Sequence, residues 1–209
     1  MLTLLKFLDY SGTIKIGGQD IRTVSHEFLR ERLVSISQEG IELDGSLRKN
    51  LDPYDAPDLS HRLHDETLID VLERACLWKS IESRGFCLNT PLQDLKLSTG
   101  QLQLLAVALA MLRREYNSSR IMLIDEAICN VDDETAKKVQ AAMAASFTNC
   151  TVITIAHRLE TVEDCGLVIK MDAGKISRTL DRRQAHGTAS IRSQASGGLH
   201  ESQVSQAVP

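Results

Sequence analysis

The chain has 209 residues, 43% of them hydrophobic and 4% aromatic, with a formal net charge of −4, enough for one domain with a sizeable core and a tail. The acidic balance argues against a nucleic-acid partner held by a broad basic face, and the scarcity of aromatics argues against base-stacking platforms. The five cysteines are odd in number and contain no CxxC pair, which argues against a disulfide framework or a zinc site and leaves them as small, reduced apolar residues.

In chain order, Met1 to Leu8 is almost wholly apolar and helix-compatible, with no cap ahead of it, and reads as the last turns of a helix. With one Lys and no cleavage site, it does not read as a signal peptide. Thr13 to Ile16 alternates as a strand turned by Gly17-Gly18, and Ser25 can cap a short helix through Arg32. Leu33 to Ser37 reads as a strand ending at Gln38. Asp44-Gly45, Pro53 and Pro57 mark loop around a short helix. Thr67 to Cys76 is amphipathic, with Leu68, Val71, Leu72 and Ala75 on one face.

Ser98 to Leu112 opens on a capping residue and becomes apolar on every side, the pattern of a buried helix. Its longest apolar run, Leu104 to Leu112, is nine residues, against the ~20 that a bilayer span needs. Ile121 to Ile124 reads as a buried parallel strand and Thr151 to Ile155 as a second. Between them Asp133 to Phe147 is helical, with Ala136, Val139, Met143 and Phe147 on one face. Leu167 to Met171 is a third strand, turned by Asp172-Ala173-Gly174. Strand, helix, strand in this order implies an α/β fold with a parallel sheet. From about Leu180 the composition shifts to Ser, Gln, Ala, Gly and His, which cannot bury enough apolar surface to fold, so 181–209 is expected to be a disordered tail.

Three segments carry chemistry. In Ile121-Met122-Leu123-Ile124-Asp125-Glu126, a buried strand delivers a carboxylate to the sheet edge where α/β proteins bind ligands. Asp125 there can hold Mg²⁺ while the ion bridges phosphate oxygens, and Glu126 can polarise an attacking water. In Leu97-Ser98-Thr99-Gly100-Gln101, Ser98 caps the buried helix and Gly100 lets a phosphate approach the backbone at the positive helix end. Alone, this segment reads more readily as an ordinary cap and turn. The strand Thr151 to Ile155 delivers His157 to the same edge as Asp125.

Taken together, Gln38 after a strand, then L-S-T-G-Q, I-M-L-I-D-E-A, N-V-D and I-A-H-R-L resemble the nucleotide-binding domain of ABC transporters. The order is Q-loop, signature, Walker B, D-loop and switch histidine, over roughly residues 1–180. Asp44-Gly45-Ser46-Leu47, Asn50-Leu51-Asp52-Pro53 and Thr90-Pro91-Leu92 are similar to the second such domain of the multidrug-resistance-associated group, subfamily C.

The resemblance implies a P-loop NTPase-type α/β core with a mostly parallel sheet, a small N-terminal antiparallel β part and a helical subdomain over about 44–95. It implies ATP and Mg²⁺ as ligands, with Asp125 in the magnesium shell and Glu126 as the base that orients water. His157 would contact the γ-phosphate. Gln38 would touch magnesium or the lytic water. Ser98, Gly100 and Gln101 would clasp ATP held by a second nucleotide-binding domain in a head-to-tail pair, with Asp132 crossing that interface.

The implied partners are that second domain and ABC transmembrane domains, the implied place is the cytoplasmic face of a membrane, and the implied activity is transport ATPase. One departure stands out: no G-x-x-x-x-G-K-[S/T] loop is present, and Gly174-Lys175 is the only Gly-Lys pair. The chain therefore reads as truncated at its N-terminus, with standalone activity in doubt. The alternative is a non-enzymatic remnant that only pairs in trans through its signature motif.

Overall fold

The computed structural model describes residues 2–37, 44–52, 63–117, 119–125, 128–156, 162 and 165–182, in two compact units, Met1–Ile155 and Ala156–Pro209. In the first unit, β1 (Lys15–Ile16) and β2 (Gln19–Asp20) pair antiparallel across Gly17-Gly18. Both glycines have positive φ, +56° and +84°, as a tight hairpin turn requires. The preceding segment is not the helix its composition suggested. Leu2 to Lys6 forms turns, with Phe7 N–H donating to the Leu2 carbonyl and Lys6 at φ +57°. A run this short, without a cap, does not repay helix nucleation, and Leu5 packs instead on the small cluster of Ile21, Leu29 and Leu33.

Helix α1 (His26–Arg32) starts at Ser25, whose hydroxyl accepts from the Phe28 N–H, and runs into strand β3 (Leu33–Ile36). Between β3 and the long signature helix the described chain is helical: α2 (Leu47–Leu51), α3 (Asp65–Arg74) and α4 (Trp78–Glu82), then a 3-10 turn over Leu92–Leu95. Two stretches singled out from sequence meet here. Leu47 N–H donates to the Thr90 carbonyl and Leu92 N–H to the Gly45 carbonyl, each at 2.9 Å. Helix α3 buries Leu68, Val71 and Leu72, and each such side chain removed from water is worth about 1.5–3 kcal/mol. Arg74, at its end, ties three helices through Glu115 and Ser146.

Helix α5 (Thr99–Asn117) runs through the main core, with Leu104, Leu105, Val107, Ala108 and Met111 buried. Strand β4 (Ile121–Asp125), helix α6 (Asp133–Ser146) and strand β5 (Thr151–Ile155) follow. The order is β3-β4-β5, all parallel, with Ile36 opposite Ile124 and Asp125 opposite Ile155. The apolar face of α6 is as expected, with Val139, Met143 and Phe147 buried.

The expectation of a buried second strand fails at β5. Val152, Ile153 and Ile155 are 46%, 43% and 40% exposed. Among the described residues β5 hydrogen-bonds only to β4, so it is an edge whose apolar run is not covered. In the second unit, β6 (Leu167–Asp172) is not a third parallel strand either. It pairs antiparallel with β7 (Lys175–Asp181) across Ala173-Gly174, because a two-residue turn brings neighbours together where a parallel pair needs a long crossover. The hairpin extends to Arg182, whose N–H donates to the Gly166 carbonyl; the rest of the expected tail, 183–209, lies outside the described residues.

Candidate functional site

The parallel sheet ends its described strands at one carboxyl edge, since Ile36, Asp125 and Ile155 are in or next to register. Asp125 stands there, half-buried, at the end of β4. Gln38, Glu126 and His157 follow these strand ends by one or two positions in sequence and lie outside the described residues. Among the described residues no three His, Cys, Asp or Glu side chains gather as a metal site.

The signature segment is described in full. Lys96 adopts a left-handed conformation, φ +44°, and the Arg84 guanidinium donates to the Leu95 carbonyl, so the approach to α5 is tethered. At the helix start Ser98 Oγ accepts from Gln101 N–H at 3.2 Å, and Gln101 Oε1 accepts from Ser98 N–H at 3.0 Å. This is a reciprocal capping box. Gln101 Nε2 also donates to Ser80 Oγ on α4 at 2.8 Å. Both ends of the Gln101 side chain therefore serve the turn. Ser98 is exposed, and a hydroxyl that accepts one bond still has its proton to donate. Helix geometry leaves the first N–H groups of α5, those of Thr99 and Gly100 among them, without intrahelical acceptors.

Gly100 is buried, and its missing Cβ points at protein. A Cβ there would lie 2.3 Å from the Asn130 carbonyl oxygen and 3.2 Å from its carbon. The missing Cβ lets α5 close on the loop that follows β4. Gly100→Ala must displace backbone on one side or the other, an overpacking cost of about 1–3 kcal/mol. Urea unfolding is expected to show a lower midpoint with unchanged slope. A variant as stable as the parent would show that the close approach is not needed.

The loop leads to Asp132, which caps α6 by accepting from Thr135 N–H at 3.0 Å. That bond holds its carboxyl below the usual aspartate range, so it is an acceptor at neutral pH. The structure thus brings the signature segment against the loop that carries Asp132. Two surface clefts, of about 310 and 300 Å³, lie elsewhere in the first unit and include neither Ser98 nor Asp125.

Sequence reasoning missed Ser80 and Gln103. The Ser98-x-x-Gln101 spacing was a readable signal for the reciprocal cap; Ser80, eighteen positions before Ser98 in chain order and on another helix, had none.

Residues 1–129 match the family model described as ABC transporter. The chain is 40% identical over 167 residues to the human protein named ATP-binding cassette sub-family C member 2, covering 79% of this chain and 10% of that protein. It is 35% identical over 180 residues to ATP-binding cassette transporter abc1 of Schizosaccharomyces pombe, covering 83% and 12%. A solved structure of a bacterial Atm1-family ABC exporter with ATP bound is 27% identical with a TM-score of 0.74, covering 88% of this chain and 31% of that one. The chain spans about an eighth or less of the length of these curated relatives.

Proposed function

Because this chain belongs to the ABC transporter family, we propose that it is part of a nucleotide-binding domain that hydrolyses ATP for transport, and that its signature segment acts on ATP held by a second such domain. The observation that carries the reading is the capped start of α5, where Ser98 is exposed and Gly100 closes on the loop that leads to Asp132. That end of a helix suits an anion. Ser98 and the N–H groups of Thr99 and Gly100 donate to phosphate oxygens. Gln101 acts through the cap, by fixing where Ser98 stands. Asp132, two residues past Asn130, would face the partner domain.

The chemistry of Asp125 is compatible with a magnesium ion. Mg²⁺ needs only one or two protein carboxylates beside phosphate and water oxygens, and Asp125 presents one at the strand end. Held there by Asp125, the ion would neutralise charge on the phosphates. Glu126 orients water, His157 contacts the transferring phosphate, and Gln38 relays the state of the site towards transmembrane domains. The domain works at the cytoplasmic face of a membrane. Among the described residues no helix is long and apolar enough to cross one.

The test is ATP-dependent association of the chain with a complete nucleotide-binding domain, followed by light scattering. Association that needs Mg-ATP supports the reading; a scattering signal indifferent to nucleotide counts against it.

A second reading, pairing without turnover, is favoured by one observation. The only Gly-Lys pair, Gly174-Lys175, sits in the turn between β6 and β7, not between a strand and a helix. Calorimetry with Mg-ATP on the chain alone tests this second reading. Micromolar binding would count against it.

A further inference from the structure

We propose that Gln103 is a positioning residue that locks the loop of Asp132 onto the helix of Ser98, so that both meet a partner's nucleotide as one rigid surface. The proposal rests on the trans reading given above. Gln103 lies within α5 among Leu104, Leu105 and Val107, and is only 1% exposed. An apolar side chain would fill that place with less desolvation cost. The amide is instead used at both ends on successive loop residues: Oε1 accepts from Asn130 N–H at 3.0 Å, and Nε2 donates to Cys129 Sγ at 3.3 Å.

Gly100, three residues earlier on the same helix face, receives the Asn130 carbonyl where its Cβ would be. Asn130 is therefore read from both of its peptide groups, its N–H by Gln103 and its carbonyl by Gly100. Two residues on, Asp132 starts α6. Five residues back from Gln103, Ser98 starts α5, its place set by Gln101 and Ser80. A polar pair in an apolar setting fixes register, because any slip strands a buried amide without its partners. Gln103 thus sets the spacing of Ser98 and Asp132 without touching the nucleotide.

The experiment compares the chain, Gln103→Met, Asp132→Ala and the double variant in Mg-ATP-dependent association with a complete nucleotide-binding domain, at a temperature where circular dichroism shows all four folded. Met keeps the length and loses the hydrogen bonds to Asn130 and Cys129. Gln103→Met is expected to weaken association about tenfold, the scale of losing partners for one buried amide. Asp132→Ala is expected to weaken the parent but to add little in the Gln103→Met background, because the loop is already displaced.

Full additivity would assign Gln103 to stability alone and overturn the proposal, as would parent-like association of Gln103→Met. If Gln103→Met does not fold, Cys129→Ala, at an exposed position, removes one loop partner of Gln103 and takes its place. It is expected to weaken association less than Gln103→Met would and to lose part of the coupling to Asp132, and parent-like association with full additivity to Asp132→Ala would overturn the proposal. Ser98→Arg, run alongside, tests the trans reading without touching Gln103. If it associates like the parent, the reading fails and the proposal falls with it; if it alone fails, the reading stands and Gln103 is judged on its own.

Discussion

Glu126→Gln is expected to lower ATP turnover by about 10²-fold or more while leaving nucleotide bound, the usual consequence of removing a group that orients or deprotonates the attacking water. Glu126 directly follows Asp125, which the parallel register places at the carboxyl edge of the sheet. Gln keeps the shape of the side chain and its reach, and loses only the charge that polarises water. The substitution therefore separates binding from chemistry: turnover falls and affinity does not. The measurement uses the chain joined to the strand and G-x-x-x-x-G-K-[S/T] loop of a relative, with phosphate release as the readout and nucleotide retention by filtration as the control. Unchanged release would reduce Glu126 to a solvated acid at a strand end.

Ser98→Arg is expected to abolish ATP-dependent association with a complete partner domain and to leave the fold standing. Ser98 is exposed and its hydroxyl is the cap of α5, so replacing it costs the cap, about 0.5–2 kcal/mol, and brings a cation to the positive end of a helix, a further ~0.3–1 kcal/mol. Those losses lower the melting temperature by several degrees and do not unfold the core, which lies further along α5. Closure over a nucleotide is a different matter. On the trans reading, the bulk and charge of the Arg side chain would occupy the space above the helix end that a partner's phosphate enters. Ser98→Ala separates the two effects. It loses the cap and the donor but leaves the space, and is expected to weaken association without ending it. Equal association by the parent and Ser98→Arg would sink the trans role.

Local chemistry was readable from the chain wherever an element is decided by its own residues. Ser25 before α1, the Gly17-Gly18 turn, the apolar face of α6 and the run of β4 ending in Asp125 all follow from short-range rules, because caps, turns and periodicity depend on neighbours in sequence. The motif order that places the chain in its family was readable in the same way. The residues it points to at the strand ends, Gln38, Glu126 and His157, rest on that resemblance together with the register of the strands they follow.

What depends on distant partners was settled only by the tertiary structure. An apolar run says that a strand can be buried, not that anything covers it, and β5 stands exposed. A helix-compatible start becomes a turn when it is too short to nucleate and a nearby cluster takes its leucine. What the missing Cβ of Gly100 faces is not readable from its neighbours in sequence, because Asn130 stands thirty positions away. Gln103 carried no signal in an apolar helix, because a buried amide is explained only by the donor and acceptor that meet it, and those come from a loop on the far side of β4.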